Sequence, residues 1–355
     1  MRIWILPALY VLFALLSVIT LSSIAPNLAS KQLLFFIISG LLFVATSYYP
    51  FSQYLRLSRG SYIFACLFLL IPVVFSLSTR NTARWIPVGD WFNIQPSQFT
   101  LPLVSLALLQ LIAKTKAFSW HFLIRFFALV ALPIGLILIE PDLDTTIVLS
   151  LTMVSLLFFL PIAWKFLVGF GISGICLVFF AWFFVLQPYQ KLRITSFFTP
   201  AEDIQGSNYN ARQALIAVGS GQVIGRGLGQ GVQSHLRFLP ERQTDFLFAS
   251  LAEEYGLMGS SLVLLLYALL VAFLIWASRY IKDLSGKLYL VMLAVLFFLQ
   301  AMVNINMNIG LLPISGITLP LLSYGGSSLL GLSLALGIAQ SLIKQSQKRS
   351  LLHIA

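Results

Sequence analysis

Apolar runs about as long as a bilayer is thick, parted by short turns, succeed one another from residue 3 to residue 343. A membrane-spanning helix needs about 20 such residues. Backbone polar groups in hydrocarbon find partners only inside a helix or a closed barrel, and runs this long and continuous specify helices. Spans read at 3–23, 33–50, 61–77, 99–112, 122–140, 145–162, 167–187, 246–277, 288–305 and 327–343 give about ten transmembrane helices in a single polytopic domain over residues 1–355. The expected class is an all-α integral membrane protein with outer loops at about 78–98, 187–245 and 306–326, the large one lying between helices 7 and 8. Charged residues make up 9% of the chain, against about a quarter in soluble domains. A soluble domain on a single anchor is excluded.

The net charge of +11 would suggest nucleic acid in a soluble protein. Here the cations sort by the positive-inside rule instead, and no nucleic-acid partner is expected. With both termini on one face, that face receives Arg2, Arg56, Arg59, Lys114, Lys116, Arg125, Lys165, Arg279, Lys282, Lys287, Lys344, Lys348 and Arg349, mostly in short turns. It reads as the cytoplasm. The first run has only Ala25-Pro26-Asn27 as a poor cleavage site, so it is expected to be retained rather than removed as a signal peptide. Cys66 and Cys176 both lie inside apolar runs, which argues against a disulfide framework or a cysteine-ligated metal.

The acids lie on the other side. Of eleven carboxylates only Asp283 falls in a cytoplasmic turn, while Asp90, Glu140, Asp142, Asp144, Glu202, Asp203, Glu241, Asp245, Glu253 and Glu254 lie on or near the outer face. Acids contribute little to orientation, so a site worked from the outer face explains this bias where the charge rule does not. Glu202 and Asp203 need no more than a solubilising role. Glu140 and Asp142 flank Pro141 at the end of a span, and Glu253 and Glu254 lie deeper on the eighth. Carboxylates so placed cost a few kcal/mol and are paired or functional. Thr244 is placed to cap the eighth span, with Asp245 in its first turn beside the positive end of the helix dipole. Position alone leaves Asp245 equally open to a helix-starting and a catalytic role. From it, Glu253 stands about 80° round the helix and Glu254 about 180°, so one of the two is expected to pair with a cation for structure.

The first outer loop is basic and rich in Trp, with Trp85 and Trp91 suited to the headgroup level and Arg80 and Arg84 to lipid phosphate. The second carries Lys191, Arg193, Arg212, Arg226, Arg237 and Arg242. A row of exterior arginines is what binding a lipid-linked phosphate would require. Gly219-Ser220-Gly221 and the run from Gly225 to Gly231 invite comparison with phosphate loops, but no strand precedes them and no lysine follows the last glycine. They read as a flexible turn beside the membrane, ahead of an anion-binding nest. His121, His235 and His353 are too scattered for a metal triad and receive no role.

The third outer segment, Asn304 to Ser328, reads NINMNIGLLPISGITLPLLSYGGSS. With Gln95-Pro96-Ser97, Glu140-Pro141-Asp142-Leu143 and the stretch Phe238 to Gly259, it strongly resembles the SEDS family of bacterial cell-wall proteins, RodA, FtsW and SpoVE. The resemblance runs from about Arg2 to Leu342. Gly310-Leu311-Leu312-Pro313, Leu319-Pro320 and Ser323-Tyr324-Gly325-Gly326-Ser327-Ser328 resemble the family's C-terminal signature. Arg193-Ile194, Phe197, Pro200, Asp203, Gly206, Tyr209 and Gln213 resemble its large-loop pattern, and the short N-terminus is closer to RodA.

The resemblance implies a peptidoglycan glycosyltransferase of the bacterial cytoplasmic membrane, polymerising lipid II into β-1,4 glycan at the outer face for cell elongation or division. It implies an essential acid at Asp245, a second important acid at Asp142, and first-loop site residues Arg84, Trp85 and Ser97. Arg193, Arg212, Gln213, Glu241, Arg242 and Ser323 complete the expected substrate-binding set. The implied partners are lipid II, undecaprenyl diphosphate, a class B penicillin-binding protein, other elongation or division proteins, and the surrounding membrane lipids. There are departures: Gln98 and Leu101 stand where the family commonly has Glu and Lys, removing an opposite-charge pair together, Gln243 replaces a usual His and Asn306 a usual Gly.

The chemistry fits. A lipid diphosphate departs as an already stable anion, so one base suffices, whereas glycoside hydrolysis needs two carboxylates. Asp245 is the candidate base for the acceptor hydroxyl. Arginines would meet the charge building on the diphosphate, with a divalent cation, Mg²⁺ or Mn²⁺, held partly by phosphate oxygens. Attack opposite the leaving group would invert an α-linked donor. Two alternatives make other demands. A lipid-linked precursor flippase or transporter predicts internal repeats and polar groups near the midplane. A non-enzymatic scaffold of the cell-wall machinery predicts that Asp245 can be neutralised without loss of polymer.

Overall fold

The computed structural model describes residues 2–75, 84–89, 92–115, 118–198 and 207–352. Arg80, Asp90, Trp91, Lys116, Pro200, Glu202, Asp203, Gly206 and His353 lie outside them. The chain runs through α1 (Ile5–Ile24), α2 (Pro26–Tyr48), the short α3 (Phe51–Arg56), α4 (Ser58–Val74), a hairpin of β1 (Ile86–Val88) and β2 (Phe92–Ile94), α5 (Ser97–Lys114) and α6 (Trp120–Ile139). It continues through α7 (Leu143–Val154), α8 (Trp164–Phe180), α9 (Pro188–Phe198), α10 (Ser207–Ser220), α11 (Val232–His235), α12 (Leu247–Ser278), α13 (Leu284–Asn308) and α14 (Gly326–Leu352). Among the described residues eight helices are long and apolar enough to cross a membrane, and α4 and α7, the latter prolonged by a 3-10 turn to Phe159, are shorter apolar helices. All ten expected spans therefore have a helix.

The bundle is held by close approach and by polar side chains between helices, since lipid is as apolar as leucine and offers no hydrophobic drive to pack. α14 is its centre, mostly buried and packed against α2 and α5. Gly337 makes this possible: a Cβ there would fall on the Thr46 hydroxyl and the Phe43 carbonyl of α2. Around that contact the Tyr10 hydroxyl meets Ser39 at 2.6 Å and accepts from Ser333 at 3.1 Å, binding α1, α2 and α14 together. At the opposite end from the acids, Lys344 donates to Ser47 at 2.7 Å and Gln340 to the Ile3 carbonyl at 2.6 Å.

α2 begins at Pro26, seven residues before the expected 33, with proline in its first turn. Among its early polar residues Gln32 is buried, donating to Ser17 at 3.1 Å and to the Ser323 carbonyl at 3.2 Å. These bonds explain a second departure. The segment between α13 and α14, expected as an outer loop, folds back into the bundle, where Leu319, Leu321 and Leu322 are buried. Irregular backbone at such depth must find its partners in protein. Here Ser17 takes the Leu322 carbonyl (2.6 Å), Tyr267 the Pro320 carbonyl (2.5 Å) and Asn304 the Ile317 carbonyl (2.7 Å).

The expected large loop, 187–245, contains α9, α10 and α11. α10 docks through Ala214 and Ala217 on Leu239, Phe246 and Ala249, forming a small core of its own around the entrance to α12.

The candidate active site

Asp245 does not start a helix. α12 begins at Leu247 with Phe246 at its N-cap, so Thr244 is not the cap and Asp245 lies outside the first turn. The carbonyls that would begin the helical ladder are already taken. Tyr324 donates to the Gln243 carbonyl at 2.9 Å, Ser323 to the Thr244 carbonyl at 2.5 Å, and Asn304 and Asn308 to the Asp245 carbonyl at 2.9 and 3.1 Å. The Thr244 hydroxyl turns back to Glu241, whose positive φ of 47° bends the chain there. With its backbone pinned from α13 and from Ser323 and Tyr324, Asp245 presents a half-buried carboxyl at the end of the bundle. Burial, and then the Glu241 and Asp144 carboxylates, push that carboxyl up to about 7, with Thr244 and Arg193 acting the other way.

Those partners delimit the site. Arg193 of α9 stands 3.7 Å from Asp144 near the start of α7, and Asp144 accepts the Gly316 N–H at 2.8 Å. Sequence reasoning gave Asp144 no role. Asp142 is the N-cap of α7, accepting from the Thr145 N–H (3.3 Å) and hydroxyl (2.9 Å) and from the Gln95 amide (3.1 Å). Arg84 is 3.7 Å from it and donates to the carbonyls of Glu140, at 2.8 Å, and Pro141. Arg84 thus braces the α6–α7 turn. Trp85 is half-buried beside it, and Ser97, the first residue of α5, is buried with its hydroxyl unpartnered. Arg242 donates to the Ile24 carbonyl at 3.0 Å, tying the entrance of α12 to the end of α1. Ser323 holds the turn before Asp245, also accepting the Leu319 N–H at 2.9 Å. Arg212 is exposed and Gln213 half-buried on α10.

Glu140 is fully buried with neither oxygen hydrogen-bonded. Burial above all, with the Asp142 charge adding and Arg84 opposing, lifts its carboxyl to about 8.

Glu253 and Glu254 are both buried and both serve the glycine-rich loop. Glu253 accepts from the Gln233 N–H (2.8 Å), the Ser234 N–H (3.0 Å) and the Ser234 hydroxyl (2.8 Å), at the start of α11. Glu254 accepts from Ser23 (2.5 Å) and the Gly229 N–H (3.2 Å) and meets His235 at 2.9 Å. The loop is therefore clamped, not a flexible turn, and His235 has a role that its isolation in sequence hid. α12 breaks at Gly256 (φ 63°) to admit it, with Leu257 and Met258 donating to the Gln222 and Val223 carbonyls at 2.8 and 3.1 Å.

Among the described residues no three His, Cys, Asp or Glu side chains converge as a metal-holding group. Those residues alone thus do not fit a resident cation.

A family model described as "Cell cycle protein", covering FtsW, RodA and SpoVE, matches residues 1–348. The chain is 35% identical over 289 residues to the peptidoglycan glycosyltransferase MrdB of Escherichia coli (strain K12), covering 78% of this chain and 75% of that protein. It is 35% identical over 330 residues to stage V sporulation protein E of Bacillus subtilis (strain 168), covering 90% and 87%. Its fold matches a chain from a study of how a peptidoglycan synthase complex coordinates polymerization and crosslinking, with a TM-score of 0.83 at 25% identity and coverage of 97% and 98%.

Proposed function

As a member of the FtsW, RodA and SpoVE cell cycle protein family, this chain is a multi-pass membrane peptidoglycan glycosyltransferase, and we propose that Asp245 is the base of its reaction. The proposal rests on one observation above the others: a half-buried carboxyl at one end of the bundle, raised to about 7 and bordered by Arg193. A base is most useful when its pKa lies near the working pH. Asp245 would take the proton of the acceptor hydroxyl as that oxygen attacks the anomeric carbon of a lipid II donor. The lipid diphosphate would leave on the opposite side, giving inversion to a β-1,4 linkage. Arg193 is the cation best placed to meet the developing diphosphate charge, while Arg84 and Arg242 are engaged in bracing the walls. Any divalent cation would arrive with the diphosphate, since phosphate oxygens are the ligands available to it.

The acids gather at one end rather than at the midplane, which favours a polymerase over an alternating-access carrier. The basic turns at the other end support cytoplasmic termini and an inner-membrane location, with the site facing outward. A class B penicillin-binding protein is the proposed partner, supplying the crosslinking step, as the matched fold from a peptidoglycan synthase complex supports.

The test is purified protein, alone and with its partner, supplied with labelled lipid II. Glycan ladders that fail to form with Asp245→Asn support the reading. Translocation of the lipid without polymer would turn it into a flippase, and ladders of parental yield from Asp245→Asn would remove Asp245 as the base.

A further inference from the structure

Asp144 is an acid at this end that the reaction leaves without a task. It lies in the first turn of α7, two residues past the Asp142 cap. Its Oδ2 accepts the N–H of Gly316, an exposed residue of the 309–325 segment, at 2.8 Å and stands 3.7 Å from the Arg193 guanidinium of α9. The backbone comes so close that a Cβ on Gly316 would lie 3.3 Å from the same oxygen. One carboxylate therefore joins α7, the re-entrant segment and the outer-loop helix. A partly exposed ion pair of this kind is worth little as a source of stability. Its geometric effect is larger, because it decides where an otherwise exposed arginine points.

We propose that Asp144 is a positioning residue: it holds Arg193 beside Asp245 and keeps it there while the arginine's remaining N–H groups take the donor's diphosphate. The guanidinium has room for both contacts. The pair to Asp144 is single and long at 3.7 Å, which leaves most of the fork for the short hydrogen bonds that diphosphate oxygens accept. Among the described residues, Asp245 is faced by Glu241 from its own turn, by Asp144 from α7 and by Arg193 from α9, and Asp144 is faced in addition by Asp142 and Arg84. The Arg193 guanidinium carbon also lies 5.9 Å from the centroid of the Tyr189 ring on the same helix.

The inference rests on the polymerase reading for its substrate, and on Asp245 as the base only for its pH arm. The experiment is a double-mutant cycle in the full chain with its partner, reading KM for lipid II and kcat separately. Asp144→Asn keeps an acceptor for Gly316 and should raise KM about two- to fivefold, the worth of an exposed ion pair, with kcat near that of the parent. Arg193→Gln should raise KM at least as much and move the acid limb of the pH profile to higher pH, since it removes the one cation among the described residues that acts on Asp245. The double variant should be no worse than Arg193→Gln alone, because Asp144 acts only through the arginine. Multiplying KM effects, or an unchanged KM in Asp144→Asn, would overturn the proposal. Should Asp144→Asn not fold, the cycle runs with Asp144→Glu, whose displaced carboxylate must also weaken the dependence on Arg193. If Asp245→Asn stays active, the base assignment falls while the KM coupling still decides the case of Asp144.

Discussion

Asp245 is raised to about 7 by burial first and by Glu241 and Asp144 next, and a base works only when ionised. Activity should therefore rise with pH through a midpoint near that value, and Glu241→Gln, removing one opposing charge, should move the midpoint down. Because Asp245 precedes α12 rather than sitting in its first turn, its replacement by Asn has little helix-dipole energy to lose. Polymerisation should fall roughly 100- to 10,000-fold in that variant, with the thermal midpoint and lipid II binding close to the parent's. Glu140 gives a different signature. Its folded value, about 8, lies above the ordinary 4.5, so the unfolded chain ionises first and stability drains away as pH rises between those two values. Glu140→Gln should flatten this decline and raise the thermal midpoint at pH 8, and a parallel decline in both proteins would show that Glu140 is not the group responsible. Both acids could be singled out in the sequence as carboxylates at the mouths of spans. The unpartnered oxygens of Glu140, the pinned carbonyl of Asp245 and the task of Asp144 could not, because each depends on chain brought in from other elements.

At the scale of elements, the glycine-rich loop and the first part of α12 make one piece. Gly225 has φ 90° and a Cβ there would lie 2.1 Å from the Glu254 carbonyl, so Gly225→Ala should detach the loop at a cost of about 1–3 kcal/mol. Limited proteolysis between residues 221 and 236 should then be faster than in the parent. Glu253→Ala should act in the same direction, leaving the Gln233 and Ser234 N–H groups unpaired at about 1–3 kcal/mol. Equal cleavage rates in parent and variants would mean that the clamp contributes nothing. The sequence placed two acids deep on a span and a glycine run ahead of them, but spacing along the chain carries no sign that the acids reach back to those glycines. The expected cap at Thr244 failed for a related reason: capping preference is local, and the competing donors Ser323, Tyr324, Asn304 and Asn308 come from other elements.

For the whole molecule, reporter fusions at Lys116, Arg279 and the C-terminus should read cytoplasmic and those at Asn81 and Gln205 exterior; Gln205 read as interior would invert the site along with the bundle. The ten spans were legible because length and apolarity suffice to specify a transmembrane helix. The burial of residues 319–323 was not, since a stretch with Pro and Ser looks the same whether water or the side chains of other helices satisfy its carbonyls. The central place of α14 reaches further, into how the chain is made. Of these ten spans it is the last to leave the ribosome, yet it fills the middle of the bundle. Until it emerges, Tyr10 lacks Ser333, the Ile3 carbonyl lacks Gln340, and the notch on α2 that receives Gly337 stands open. The unfinished protein must be sheltered by the insertion machinery until translation ends. A chain cut before Gly326 should accordingly be destroyed within a pulse-chase rather than accumulate in the membrane.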